Sequence, residues 1–392
     1  MKLSDRVQRI VPSATLAVSA KAAQMRRDGI DVVSFGAGEP DFDTPDHIKR
    51  AAESALRSGQ TKYAQPSSGL VVARQAVCTK LKRDNGLTYD PRQVLITCGG
   101  KEATWLALAA VVNPGDEVIL PVPYWVSFPE QVRLCGGTPI LLAGDESHDF
   151  KIQPQQLADA LSPRTRAFIF NSPSNPGGFT YSQAEMAALA QVLAGRDVLV
   201  LADEMYDRLT YNGPAASFAA LSAECYSKTI TINAASKSYA MTGWRLGYAA
   251  GPTELIGAMA SLQSHTTTGP CTFNQLALAD ALSGDQSCVE QMRREFAARA
   301  ERMHARLTRL RDVTCARPTG AFYCFPNVSR SFARLGVRGS VEFAEKALAT
   351  AHVALVPGVA FGSDAHARLS FACSTEEIDR GLDRLERLLG RA

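Results

Sequence analysis

Lys237 stands in the stretch NAASKSYAMTGWRLGYAAG, Asn233 to Gly251, among small, hydroxyl and apolar residues, with Arg245 eight positions later. An amine in that setting is either a snorkelling surface lysine near a helix end or a partly buried nucleophile able to form a Schiff base with an aldehyde. Asp203 closes the apolar run VLVLAD, with Glu204 next to it and Tyr206 three residues on. A carboxylate at the end of a buried strand serves as an N-cap or as a buried acid. Asn175 lies in the Pro/Gly-stiffened loop NSPSNPGG, where an asparagine commonly satisfies its own turn. LITCGGKEATW places Gly99 and Gly100 between a strand and a helix, which offers free N–H groups and a positive dipole end to a phosphate. Arg368 sits mid-strand in HARLSFA, and a buried guanidinium needs an anionic partner.

Each of these residues has an ordinary structural explanation when taken singly. Together they meet a joint demand. A pyridine aldehyde phosphate needs an amine, a carboxylate for its ring nitrogen, donors for its ring hydroxyl and a cationic, N–H-rich phosphate cup. An α-amino acid substrate adds one arginine fork for its carboxylate. Lys237, Asp203, Asn175 with Tyr206, the Gly100 turn with Arg245, and Arg368 supply these in that order.

The elements that must position them read as a doubly covered sheet. From about residue 90 to 250, apolar runs such as VLITCGG, EVILPVP, RAFIFN, DVLVLAD and KTITINA alternate with helical patterns. This is the signature of a mostly parallel α/β sheet between two helical layers. AFIF and VLVLA lack a period of two, as strands buried on both faces do. A long helical pattern from Thr272 to Arg311 leads to AFYCFPNV, a helix near Val341 to Thr350, VALVPG, HARLSFA and a final helix from about Thr375. That non-alternating order predicts a smaller α+β domain, and a chain of 392 residues exceeds one core. The first forty residues can pack with either unit. The 42 basic and 39 acidic residues are interspersed, which argues against nucleic acid or a membrane surface as partner. Nine scattered cysteines without CxxC spacing fit a reducing cytoplasm and argue against a disulfide framework or a metal site. The charged N-terminus has no apolar targeting core, so the expected location is cytoplasmic.

The chain resembles the fold-type I, class I pyridoxal-phosphate aminotransferases, and looks most like their bacterial aspartate aminotransferase branch. The likeness runs through PSATLAV, GAGEPDFDTP, TKYA, GGKEA, NPGDEVILPVPYWVSFPE, NSPSNPGG, ADEMYDRL, SKSYAMTGWRLGY, RPTGAFYCFP and ARLSFA. It implies that Lys237 carries the cofactor as a Schiff base, that Asp203 pairs with the pyridinium nitrogen, and that Asn175 and Tyr206 bond the ring hydroxyl. Trp125 would stack on the ring, and Gly100, Lys101, Ser236 and Arg245 would hold the phosphate. Tyr63 would reach the phosphate of a neighbouring subunit, which implies a homodimer with shared sites. Gly38 would line the substrate site, Arg368 would clamp the α-carboxylate, and Thr15 with Lys101 would face a distal carboxylate. The resemblance implies a cofactor domain over 46–285, with 1–45 and 286–392 forming the rest. It implies transamination between aspartate or glutamate and 2-oxo acids, with prephenate transamination and a lyase on the same fold as alternatives. Two departures stand out: Gly177 occupies a position usually held by threonine, which is expected to loosen the Asn175 loop, and Ala234 replaces a phosphate-binding serine.

Overall fold

A computed structural model describes residues 1–8, 10–11 and 14–391. Its largest sheet has seven strands, numbered here in chain order: β1 (Val94–Thr97), β2 (Glu117–Val122), β3 (Thr138–Ala143), β4 (Thr165–Asn171), β5 (Leu199–Asp203), β6 (Thr229–Ala234) and β7 (Gly247–Ala250). Their spatial order is β1-β7-β6-β5-β4-β2-β3. Only β7 runs against its neighbours, pairing antiparallel with both β1 and β6.

Both faces are apolar, as the unalternating runs predict. Val94, Ile96, Tyr248 and Ala250 join one cluster with Ala73, Val77 and Leu278, whereas Leu95 and Ala249 turn to a second cluster with Leu106, Ile256 and Met259. Side chains two apart on a strand share a face, so each layer of helices buries alternate residues of the same strands. Asn171, at the end of β4, is directly across from Asp203, and Asp203 from Ile232. The carboxyl ends of three neighbouring strands are therefore level, and the loops that leave them open onto one crevice.

The remaining strands are short. Val356–Pro357, Ala367–Ser370 and Tyr323–Cys324 form an antiparallel sheet with the middle strand Ala367–Ser370. Val33–Ser34 pairs in parallel with Val353–Ala354, and Ala22 and Val32 pack with Leu348 and Ala354, so the N-terminal segment joins the smaller unit. Helices Ser287–Leu307, Ser340–Ala351 and Thr375–Leu389 cover it. The last buries Ile378, Leu382, Leu385 and Leu389, a stripe at helical spacing, behind a Ser374 cap on the Glu377 N–H. The single helical pattern expected from Thr272 to Arg311 is two helices, Thr272–Ser283 and Ser287–Leu307. The break has a cause: the Gln286 amide donates to the Ala281 and Gly284 carbonyls at 2.9 Å each, and Asp285 accepts the Ser287 N–H at 3.0 Å.

Behind β5 lies a buried polar network. Lys80, 2% exposed on helix Val71–Asn85, pairs with Asp207 and donates to Asn85 Oδ1 at 2.7 Å. Asn85 donates to Glu204 Oε2 at 3.1 Å, and Glu204 Oε1 accepts from Ser217 Oγ at 2.7 Å and the Phe218 N–H at 3.0 Å. Burial pushes Glu204 up to about 7. Losing one member of such a buried pair typically costs about 3–5 kcal/mol. The network pins the residues that follow Asp203 and points Glu204 away from the crevice that Asp203 faces.

Candidate active site

The level strand ends and the segment from Ser34 to Asp41 enclose a cleft of about 780 Å³. Every residue assigned to the site from sequence lines it except Tyr63, which is 79% exposed and lies outside the cleft of its own chain.

Lys237 sits on the single turn Ala235–Ser238 that follows β6. Its ammonium donates to the Gly38 carbonyl and lies 5.9 Å from the Phe322 ring centroid. Desolvation lowers its pKa to about 8; Arg368 and Arg245 act in the same direction, while Glu39 and Asp203 oppose them. Asp203 shows the converse. Burial raises it to about 6, against the Met205 N–H, which donates to Oδ1 at 3.1 Å, and the charge of Lys237. One carboxylate oxygen thus accepts from its own turn while the side chain faces the cleft; the segment after Asp203 is a turn and not a helix, so the buried-acid reading holds and the helix-cap reading does not. Glu39 accepts the Thr242 hydroxyl at 2.6 Å, tying the 36–44 segment beside Lys237.

Gly99 leads into helix Gly100–Val111 with φ of +84°. A Cβ there would run into the Arg245 guanidinium, one at Gly100 into Met205, and one at Gly247 into the Gly99 backbone. The glycines therefore let a helix N-terminus, Arg245 and the start of β7 converge. Arg245, itself left-handed at φ +56°, donates to the Thr242 carbonyl at 2.9 Å and the Cys98 carbonyl at 3.3 Å, which holds the guanidinium across the mouth of that cup. Ser236 is buried at its rim, and Ala234, the last residue of β6, contributes no hydroxyl there. Lys101 projects its ammonium 5.0 Å over the Trp125 ring, and desolvation, then Arg245, lowers its pKa.

Asn175 is held by its backbone: its N–H donates to Asn171 Oδ1 at 3.0 Å, and Asn171 Nδ2 donates to the Asp203 carbonyl at 3.1 Å. The loop is not loosened at Gly177. The space a threonine would take is filled by the Phe179 ring, and the loop is buried and closed by Ser174 N–H to Phe179 carbonyl at 2.9 Å. Arg368 is 2% exposed, donates to Asn175 Oδ1 at 3.1 Å and the Gly36 carbonyl at 3.0 Å, and is packed between the rings of Tyr323 (4.5 Å) and Phe361 (5.1 Å). No carboxylate among the described residues pairs with it, and its Nε has no partner. A buried cation so placed is a ready receptor for a carboxylate from outside. Thr15 lines the cleft from helix Ala14–Arg27. Sequence reasoning missed Asn171, which carries the Asn175 loop, and Tyr323, whose hydroxyl lies 3.0 Å from that of Tyr206. Asn171 closes a predicted strand and was findable there; Tyr323 reads as core.

A model of aminotransferase classes I and II matches residues 30–385. The aspartate aminotransferase of Geobacillus stearothermophilus is 46% identical over 390 residues, 99% of each chain. The aspartate/prephenate aminotransferase of Cereibacter sphaeroides is 44% identical over 98% of each. The solved aspartate aminotransferase of Thermus thermophilus with maleate superposes with a TM-score of 0.94 at 42% identity, covering 99% of this chain and 100% of that one.

The depressed Lys237 amine has a direct readout. Only the neutral amine attacks an aldehyde, so labelling of Lys237 in ligand-free protein by formaldehyde and a hydride donor is expected to rise with pH around about 8. A midpoint near the ordinary 10.5 would contradict the burial effect.

Proposed function

We propose that this chain, which belongs to the class I and II aminotransferase family, moves amino groups between aspartate or glutamate and their 2-oxo acids in two half-reactions. It is a pyridoxal-phosphate-dependent transaminase of α/β fold with a smaller α+β domain. The residues present fit the cofactor: the Gly99 cradle and Arg245 suit a phosphate, the buried Asp203 a ring nitrogen, and Lys237 an aldehyde. When bound, the cofactor supplies an electron sink for the substrate Cα. The chain does the rest. Lys237 Nζ holds the cofactor and then takes the Cα proton, a task suited to an amine poised near neutral pH. Asp203 would keep the ring nitrogen protonated, Asn175 and Tyr206 would donate to the ring oxygen, and Trp125 would cover the ring. Gly100, Lys101 and Ser236 would join Arg245 at the phosphate, and Arg368 would take the α-carboxylate beside Gly38.

The observation that carries this reading is the buried Arg368 without a carboxylate partner, set in the same cleft as an amine lowered to about 8. Lys101, with Thr15, supplies the contact to the distal carboxylate, which selects dicarboxylic substrates. The maleate bound to the Thermus relative, itself a dicarboxylate, supports that choice. A second reading, prephenate as amino acceptor, is favoured by the name of the Cereibacter relative. We divide the chain into a cofactor domain, 46–285, and a second unit of 1–45 with 286–392, the break falling beside the Gly284–Gln286 turn. No helix among the described residues is long and apolar enough to cross a membrane. We place the protein in the cytoplasm, where its nine cysteines stay reduced. Tyr63, with exposed Leu56, Val71 and Val72 nearby in sequence, supports a homodimer in which Tyr63 serves the phosphate of the second copy.

Lys101→Ala is expected to weaken reaction with aspartate and glutamate by about 1.5–3 kcal/mol, roughly tenfold to a hundredfold in kcat/KM, and to leave alanine unharmed. An equal loss for aspartate, prephenate and alanine would sink the selector role, and a loss confined to prephenate with aspartate inert would transfer the assignment to the second reading. Small-angle scattering of the active protein is expected to return the mass of two chains; activity in a strictly monomeric species would remove the shared site.

A further inference from the structure

Tyr323, 1% exposed, contributes to the cleft from the short strand Tyr323–Cys324, next to the strand that carries Arg368. Its hydroxyl and that of Tyr206 are 3.0 Å apart, and both are buried. A phenol has one proton to give, so one member of this pair donates and the other accepts. Arg368 decides which. Its guanidinium lies 4.5 Å over the Tyr323 ring, and a cation there favours negative charge on the Tyr323 oxygen, making that hydroxyl the stronger donor. Burial raises both phenols and Arg368 lowers both, but for Tyr323 it is the first influence opposing burial, whereas Tyr206 is held well above the ordinary value by burial and then by Tyr323. The Tyr206 ring is wedged edge-on against Phe322 and Tyr323, which fixes the direction of its C–O bond.

We propose that Tyr323 is a positioning residue: it donates its hydroxyl proton to Tyr206 and so commits the Tyr206 proton to the cofactor's ring oxygen, while its ring carries the arginine that receives the substrate. The inference rests on the reading that Tyr206 faces that oxygen. It links the two ends of the cleft through one side chain. The tasks are separable, since phenylalanine keeps the ring and loses the donor.

The test is a pH titration of the visible absorption of the holoenzyme in four forms: parent, Tyr206→Phe, Tyr323→Phe and the double variant. A donor to the ring oxygen favours negative charge there and hence the deprotonated chromophore, so losing it moves the midpoint up. Tyr206→Phe is expected to raise the midpoint. Tyr323→Phe is expected to raise it by about 0.4–1 unit, the net worth of one neutral hydrogen bond, and to add nothing once Tyr206 is phenylalanine. The KM for aspartate is expected to stay within about twofold in Tyr323→Phe, because the ring under Arg368 remains, and to rise in Tyr323→Leu. An unmoved midpoint in Tyr323→Phe, or the same shift with and without the Tyr206 hydroxyl, overturns the proposal. No shift in Tyr206→Phe would instead defeat the reading of Tyr206 itself, and this inference with it.

Discussion

Removal of water from around charged side chains is the constraint on which the cleft depends, and it acts with opposite sign on its two central groups. The same burial that lowers Lys237 to about 8 raises Asp203 to about 6, bringing an amine and a carboxylate toward neutrality from both sides. Arg368 is likewise desolvated, enclosed without a carboxylate and offset only by two carbonyl-type acceptors and two aromatic rings. An arrangement of this kind is poorly stabilised alone and well satisfied by an anionic substrate. Binding and chemistry thus draw on one source.

Holding such groups in place requires a frame that does not relax around them. The level ends of β4, β5 and β6 set Asn171, Asp203 and the Lys237 turn side by side, and Asn171 ties the first two together through the Asp203 carbonyl. Behind Asp203, the network of Lys80, Asn85, Glu204 and Asp207 anchors the turn that presents Tyr206. On the far side, β7 brings Gly247 against the Gly99 backbone and delivers Arg245 to the helix N-terminus. The smaller unit closes the cleft with Arg368 and Tyr323 on adjacent strands.

Much of this was legible in the sequence where chemistry and local pattern coincide. Lys237, Asp203 and Asn175 each follow an apolar run that only a buried strand explains, and Arg368 stands out as a charge inside one. Other features were illegible for physical reasons. Tyr323 lies in AFYCF, where an aromatic reads as packing, and only the approach of Tyr206 from a distant element gives its hydroxyl a partner. Lys80 sits in a polar helical stretch that reads as a solvated face, yet its charge is buried against Asp207, 127 residues away. Gly177 looked like a loosened loop because the Phe179 ring that fills its space folds back from two residues on. The continuous helix expected from Thr272 to Arg311 is cut by capping bonds of Asp285 and Gln286, which hydrophobic periodicity does not register.

Under the proposed function, a buried carboxylate at the end of β5 makes proton transfer by Lys237 feasible. The most direct test of this is the single-turnover rate at which aspartate converts the bound cofactor from its aldehyde to its amine form, in the parent and in Asp203→Ala with cofactor occupancy verified by absorbance. The variant is expected to retain cofactor and react roughly a hundredfold or more slowly, in keeping with about 3–5 kcal/mol for loss of a buried charged partner. A rate within about twofold of the parent at saturating aspartate would contradict it.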